Sequence, residues 1–396
     1  MAKESKLIQT SRFLKKVAII FLVIIILNIV WGFASKYISS IKDNIDNPIN
    51  FSAYFDEDRI YEEILLPELG SVIPKEKISN AQFSIKDDFN YFPERIFVYK
   101  TNIPKETFLT VTKAEQFATE LGFTEEYDIT EPNTLLWTDV NQRELRFNKV
   151  NLSWDLDPSI NLFSNIQDEI KKEFEIEQTL KTFNNKIQSS NLELTNYDLN
   201  NPQTLALNYP APNYIMELTD EDESEYLMLN YFRKLKSSAV DEESSKTRDL
   251  IQENNLFLES KIYIDNPFLS DLNFTINKNL PQLAFIIDFN YKPLSIDTQT
   301  IGVYSVITPQ LAFQYLQNEK GYLRSLTQNQ NDILKDQLDY KVTEFQIESK
   351  QTELAYYIQE GKEGYTYPIY LFRGKAYLEN GEIADFIFYV DALYRS

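Results

Sequence analysis

Apolar residues run almost unbroken along one stretch of this chain, Val17 to Ala34, where Asn28 is the only amide side chain. A span of the hydrocarbon core needs about 20 such residues. Arg12, Lys15 and Lys16 precede the run, and Trp31 and Tyr37 stand where an interfacial belt belongs. The pattern predicts a transmembrane helix over 17–36, a cytoplasmic tail over 1–16, and the rest of the chain outside the cell membrane by the positive-inside rule. Gly32-Phe33-Ala34 also suits a signal-peptide cleavage site. The apolar run exceeds the usual h-region of about 7–15 residues, which favours an uncleaved anchor. Residues 37–70 lack a sustained apolar period before Ile64-Leu65-Leu66-Pro67 and read as a stalk.

Beyond residue 71 the periods are shorter. Arg95–Lys100 is β-branched and aromatic, a strand signal. Ala114, Phe117, Ala118 and Leu121 recur at helical spacing between Thr112, with Glu115 as a capping box, and Gly122 as the residue after the C-cap. Leu135–Thr138 and Leu145–Phe147 flank a polar four-residue turn and read as a hairpin. Asp157-Pro158 opens a second helix with Leu162, Ile166, Ile170 and Phe174 at spacing four, and Leu180, Phe183 and Ile187 mark another. Strand-like runs follow at Tyr214–Leu218, Tyr226–Phe232, Leu283–Phe289 and Gly302–Val306. Thr308-Pro309 starts a helix carrying Leu311, Ala312, Tyr315 and Leu316. Tyr367–Leu378 and Glu382–Val390, joined through Asn380-Gly381, predict a hairpin with a type I′ turn. The fold class expected is α+β: short helices on one face of antiparallel sheets, in about three units at 71–157, 158–260 and 261–396.

Composition narrows the chemistry. The 396 residues contain no Cys and no His. Thiolate nucleophiles, His-based triads and Cys- or His-bound metals are therefore excluded. Only 9 Gly are present, too few to suggest a phosphate-cradling loop. The net charge is −21, and residues 1–36 hold +5, so subtracting them leaves −26 on the remainder. Such a surface repels nucleic acid and anionic headgroups.

Thr112–Gly122 with Leu135–Phe147, and Thr308–Leu316 with Tyr367–Gly374 and Phe386–Ala392, resemble PepSY-type domains. The layout is also similar to membrane-anchored regulators of bacterial sensor kinases. The resemblance covers about a third of the chain and departs from the pattern in the polar insert between Leu316 and Tyr340. It implies inhibitory or regulatory contact, and it brings no catalytic residues with it.

Each chemical candidate has a plain counterpart. Thr219–Glu225 is an acidic run that could bind calcium, but its spacing is not that of an EF-hand and it lacks the turn glycine, so a solvated loop is expected. Paired carboxylates could hydrolyse a glycoside, yet nothing singles out one pair among 60 acids. Tyr231-Phe232-Arg233-Lys234 reads as a strand end with its cations in solvent. The aromatic C-terminal strands offer either core or a peptide-binding edge, with Pro368 pointing to a strand start or an edge. No catalytic, cofactor-binding or metal-binding residue is assigned, and no small-molecule substrate is indicated. The expected partners are the bilayer through 17–36 and another envelope protein. The expected role is protein binding or regulation without catalysis, with a structural part in an envelope complex or a carboxylate hydrolase as alternatives.

Overall fold

A computed structural model describes residues 64–72, 75–140, 142–157, 192, 194, 196–208, 217–218, 224, 226–239, 257–277, 286–328 and 341–394. Alternating apolar positions dominate there. Leu135 and Trp137, Leu145 and Phe147, and Trp154 and Leu156 each skip one residue, the period that places side chains on one face of a strand. They meet across β4 (Thr134–Thr138), β5 (Glu144–Asn148) and β6 (Trp154–Asp157), with Leu135 opposite Phe147, Phe147 opposite Trp154, and Leu145 opposite Leu156. Six further strands complete an antiparallel sheet of nine. β3 (Asp128–Glu131) precedes β4, and β13 (Ile286–Tyr291), β12 (Leu272–Asn277), β9 (Tyr226–Asn230), β7 (Gln203–Asn208) and β8 (Glu217–Leu218) continue beyond β6.

Helix α1 (Thr110–Glu120) packs on the apolar face of this sheet through Ala114, Phe117 and Ala118, with Leu121 just beyond its end. The Phe117 ring meets Trp154 edge-on at 4.9 Å between centroids. The expected capping box is not used. The helix begins two residues earlier than Thr112, the N-cap Leu109 offers no side-chain acceptor, and the Thr110 hydroxyl instead accepts from the Thr107 amide. Its far end closes as expected at Gly122: the Gly122 amide donates to the Thr119 carbonyl and the Phe123 amide to the Ala118 carbonyl.

A second sheet, of eight strands, is organised around β19 (Tyr367–Leu378). One edge of β19 pairs along nearly its whole length with β20 (Ile383–Asp391), beyond which lies β15 (Tyr322–Gln328). The other edge is shared by two successive strands, β17 (Glu353–Tyr357) and then β16 (Val342–Ile347). Parallel partners extend both: β1 (Gln82–Ile85) beside β16, and β11 (Phe257–Tyr263) beside β17, followed by β10 (Lys234–Ala239). The smallest sheet joins β14 (Ser295–Ser305), β2 (Arg95–Asn102) and β18 (Gly364–Tyr365). Helix α2 (Pro309–Gln317) starts where expected, with the Thr308 hydroxyl accepting from the Leu311 amide at 3.2 Å and Pro309 in the first turn.

The β19–β20 hairpin is present, but its turn differs. Gly381 has φ +87°, whereas Asn380 is not in the positive-φ region. The Gly381 amide donates to the Leu378 carbonyl, and the Glu382 carbonyl accepts from the Leu378 amide. The connection is therefore a three-residue loop, Glu379-Asn380-Gly381, with one left-handed glycine, not a two-residue I′ turn. Asn380 Oδ1 accepts from the Glu382 amide, a local bond that holds the loop in this form.

Two expectations need correction. The fold class is not α+β built from repeated helix-on-sheet units. Among the described residues twenty strands stand against two α-helices. The two large sheets interleave strands from 71–157, 158–260 and 261–396, and β6 lies beside β13, from far along the chain. Local periodicity marks strands without saying which strand lies next to which. The second correction concerns a single-pass protein of the cell membrane. No helix among the described residues is long and apolar enough to cross a membrane, so single-pass anchoring is not supported. The segment 17–36, the stalk up to residue 63 and the helices expected over 157–174 and 180–187 lie almost wholly outside the described residues.

Candidate functional site

The clearest concave feature is a cleft of about 270 Å³ at the beginning of α1. Its floor is aromatic. Phe117 from α1, Phe147 from β5, Trp154 from β6 and Tyr291 at the end of β13 are all buried, yet present atoms to the cleft. Pro104 and Pro293 wall it, and Leu152 and Leu192 flank it. Its polar rim consists of Thr107, Thr110, Lys105 and Lys113, with no carboxylate among the described lining residues. Both lysines are exposed, and neither has an ion-pair partner among the described residues. Phe108, 92% exposed, and Leu109, 44% exposed, sit in the turn that leads into α1.

A second cleft, about 350 Å³, lies against β10, β11 and β17. Its lining mixes Lys234 and Lys261 with Glu259 and Glu353, so it has no single electrostatic character.

The face of the nine-stranded sheet opposite α1 carries a polar cluster. Asn290 on β13 stands opposite Asp155 on β6, so Asp288, two residues along the same face, lies beside Asp157. On its other side Asp288 faces Thr275 of β12. Arg146 of β5 reaches Asp155 at 3.7 Å and also pairs with Asp157 and Glu144. Thr275 Oγ1 and Asn290 Oδ1 are buried without a hydrogen-bond partner among the described residues. Burial first, then the charges of Asp155 and Asp157, pushes the Asp288 carboxyl up to about 7. Asp155 is raised too, by burial and by Asp157, against the pull of Arg146 and Lys292. Among the described residues no three such side chains converge to hold a metal ion.

A carboxyl whose pKa is raised in the folded state stabilises the fold fully only below its unfolded pKa, and the contribution is lost as pH rises through the folded value. Asp288→Asn removes the buried charge that forms above about pH 7. The variant is expected to gain about 2–3 kcal/mol over the parent at pH 8, and little at pH 4. Urea denaturation of both proteins at the two pH values checks this. An equal difference at both would remove the buried-charge explanation.

No family model matches this chain, and no curated protein resembles it in sequence. Its function therefore has to be argued from the side chains themselves.

The candidates raised by the sequence are scattered by the fold. Of the acidic run 219–225 only Ser224 is described, and it is buried. Arg233 is not in solvent: it is 4% exposed and paired at 2.5 Å with Asp271, also buried. Lys234 meets Asp198 at 2.6 Å. Tyr370, Phe372, Phe386, Phe388 and Tyr389 of β19 and β20 are buried, and both strands are paired on both edges, which leaves no open edge for a peptide. Pro368 is the second residue of its strand, and its carbonyl accepts from the Ala392 amide. Sequence reasoning missed the cleft entirely. Its one local signal was Phe108-Leu109, a large apolar pair just outside the apolar stripe of α1 and between two lysines.

Proposed function

We propose that this protein acts by contact with another protein, as a binding or regulatory module without catalytic activity. The observation that carries this reading is the α1 cleft, with Phe108 and Leu109 exposed in the chain between its lining residues Thr107 and Thr110. Isolated apolar residues on a surface are ordinary, but a large aromatic beside an apolar cleft is the composition of a binding hot spot. The absence of Cys and His supports the same reading, because the common nucleophile–base pairs cannot be assembled. So does the resemblance of 112–147 to PepSY-type modules, which act by contact.

The test is the double variant Phe108→Ser, Leu109→Ser in the full chain. Both residues are exposed, so the melting temperature should stay within about 2 °C of the parent. A partner that co-purifies stoichiometrically with the parent should be lost. Retention of every partner by a folded double variant would overturn the reading.

One observation favours the carboxylate-hydrolase alternative: Asp155 and Asp288 both have raised pKa values and share a sheet face. Neither lines either of the two described clefts. Turnover by the purified protein that Asp288→Asn abolishes, with the fold intact, would favour it.

A further inference from the structure

We propose that the α1 cleft recognises an acidic–apolar segment of its partner, with one or two large apolar side chains entering the cleft and flanking carboxylates meeting Lys105 and Lys113. This rests on the contact reading above and names the chemistry of the partner.

Size argues first. Pockets for drug-sized ligands span about 300–1,000 Å³. At about 270 Å³ the cleft falls just short of that range and suits side chains better than a whole cofactor. Its floor of Phe117, Phe147, Trp154 and Tyr291 gives an apolar insert aromatic faces and edges to pack on.

Charge argues second. The chain has 60 acids and 39 bases, yet the described lining residues include two lysines and no acid. This concentrates positive charge at one entrance of a protein of net charge −21. The start of α1 adds to it. The N-cap Leu109 supplies no side-chain acceptor, and the first turn contains no acidic residue, so the positive end of the helix dipole is uncompensated. A carboxylate arriving there meets two ammonium groups without an ion-pair partner among the described residues, together with a helix N-terminus. A basic segment would face Lys105 and Lys113 of the lining, with only Glu106, between Lys105 and Thr107, to offset them. A second copy of this chain has to overcome the mutual repulsion of two acidic bodies.

The experiment uses fluorescein-labelled hexapeptide pools and the full chain, read by fluorescence anisotropy. The first pool is acetyl-Glu-Asp-X-X-Asp-Glu-amide, with X drawn from Phe, Leu, Ile and Trp. The second replaces the acids by Lys, and the third replaces X by Ser. Binding is expected for the first pool only, weakening at least tenfold in Lys105→Glu, Lys113→Glu and again as salt is raised. Both lysines are exposed, so this variant tests charge without disturbing the core. Equal binding of the three pools, no binding of the first, or indifference to the lysine variant overturns the proposal. So does a dimer, seen by sedimentation, that the lysine variant dissociates, since it assigns the cleft to a second copy. Failure here with a partner still lost in Phe108→Ser, Leu109→Ser leaves the contact reading standing and removes only the acidic–apolar partner.

Discussion

Replacing Arg233 by methionine is expected to cost the fold about 3–5 kcal/mol, the range seen when one member of a buried ion pair is removed. Arg233 and Asp271 are each about 5% exposed in their side chains. The guanidinium also donates to the Leu294 carbonyl and lies 4.6 Å over the Tyr197 ring. Burial opposes its charge, but Asp271 and the neighbouring tyrosines outweigh it and hold the arginine protonated. Asp271 is raised by the same burial even with Arg233 beside it. Without that partner its charge has no compensation, so it keeps a proton to higher pH. A raised carboxyl stabilises at low pH and loses that contribution as pH rises, so the deficit of Arg233→Met should be larger at pH 8 than at pH 5.

The position makes the loss global. The Arg233 carbonyl accepts from the Ile262 amide of β11, in the eight-stranded sheet, while Asp271 immediately precedes β12 of the nine-stranded sheet. Urea denaturation at the two pH values is the measurement. A loss below about 1 kcal/mol would show that the pair contributes little to stability. The double variant Arg233→Met, Asp271→Leu should recover most of the loss, because neither charge is then left buried alone.

The second large effect is expected at Gly374. Alanine in a strand normally costs less conformational entropy than glycine, so a neutral or stabilising change is the default expectation. Here the sign reverses. A Cβ at Gly374 would stand 2.0 Å from the Gln346 carbonyl oxygen and 3.0 Å from the Ile347 Cα, both backbone atoms that cannot turn away. Gly374 faces Ile347 of β16 on one side and Phe386 of β20 on the other. It stands where the edge of β19 passes from β17 to β16, across the kink Glu348–Thr352, and the Glu348 amide donates to the Arg373 carbonyl at that handover. Gly374→Ala must push β16 off β19, at a cost of about 3 kcal/mol or more. Thermal melting should show a fall of many degrees. A melting temperature within about 2 °C of the parent would mean that the two strands are less closely apposed than described.

How much of this could be read in advance differs from element to element. The apolar stripe Ala114–Phe117–Ala118–Leu121 was legible, as were the Gly122 terminator and the Thr308-Pro309 helix start, because caps and periods act within a few residues. The N-cap of α1 was misjudged by three residues: it is Leu109, and Thr110 bonds backward to Thr107, where Thr112 was expected to cap. The α1 cleft was not legible. It is walled by Pro104 and Lys105 before α1, by Leu152 and Trp154 at β6, and by Tyr291 and Pro293 after β13. No local window contains those three stretches.

By itself the sequence determined the chemistry that is ruled out, through the absence of Cys and His, and the strong acidity. It also marked nine of the twenty described strands and both described helices, because side-chain periodicity and end caps are properties of a few consecutive residues. Only the tertiary structure decided which strands are neighbours and which cations are buried. The pairing of β6 with β13 joins residues more than 130 positions apart. It depends on the fit of Trp154 and Leu156 against Tyr291 and Phe289 under α1, a complementarity between distant surfaces. Arg233 follows the same logic: a cation at a strand end is sent to solvent by default, and only the arrival of Asp271 across the sheet provides a reason to bury it.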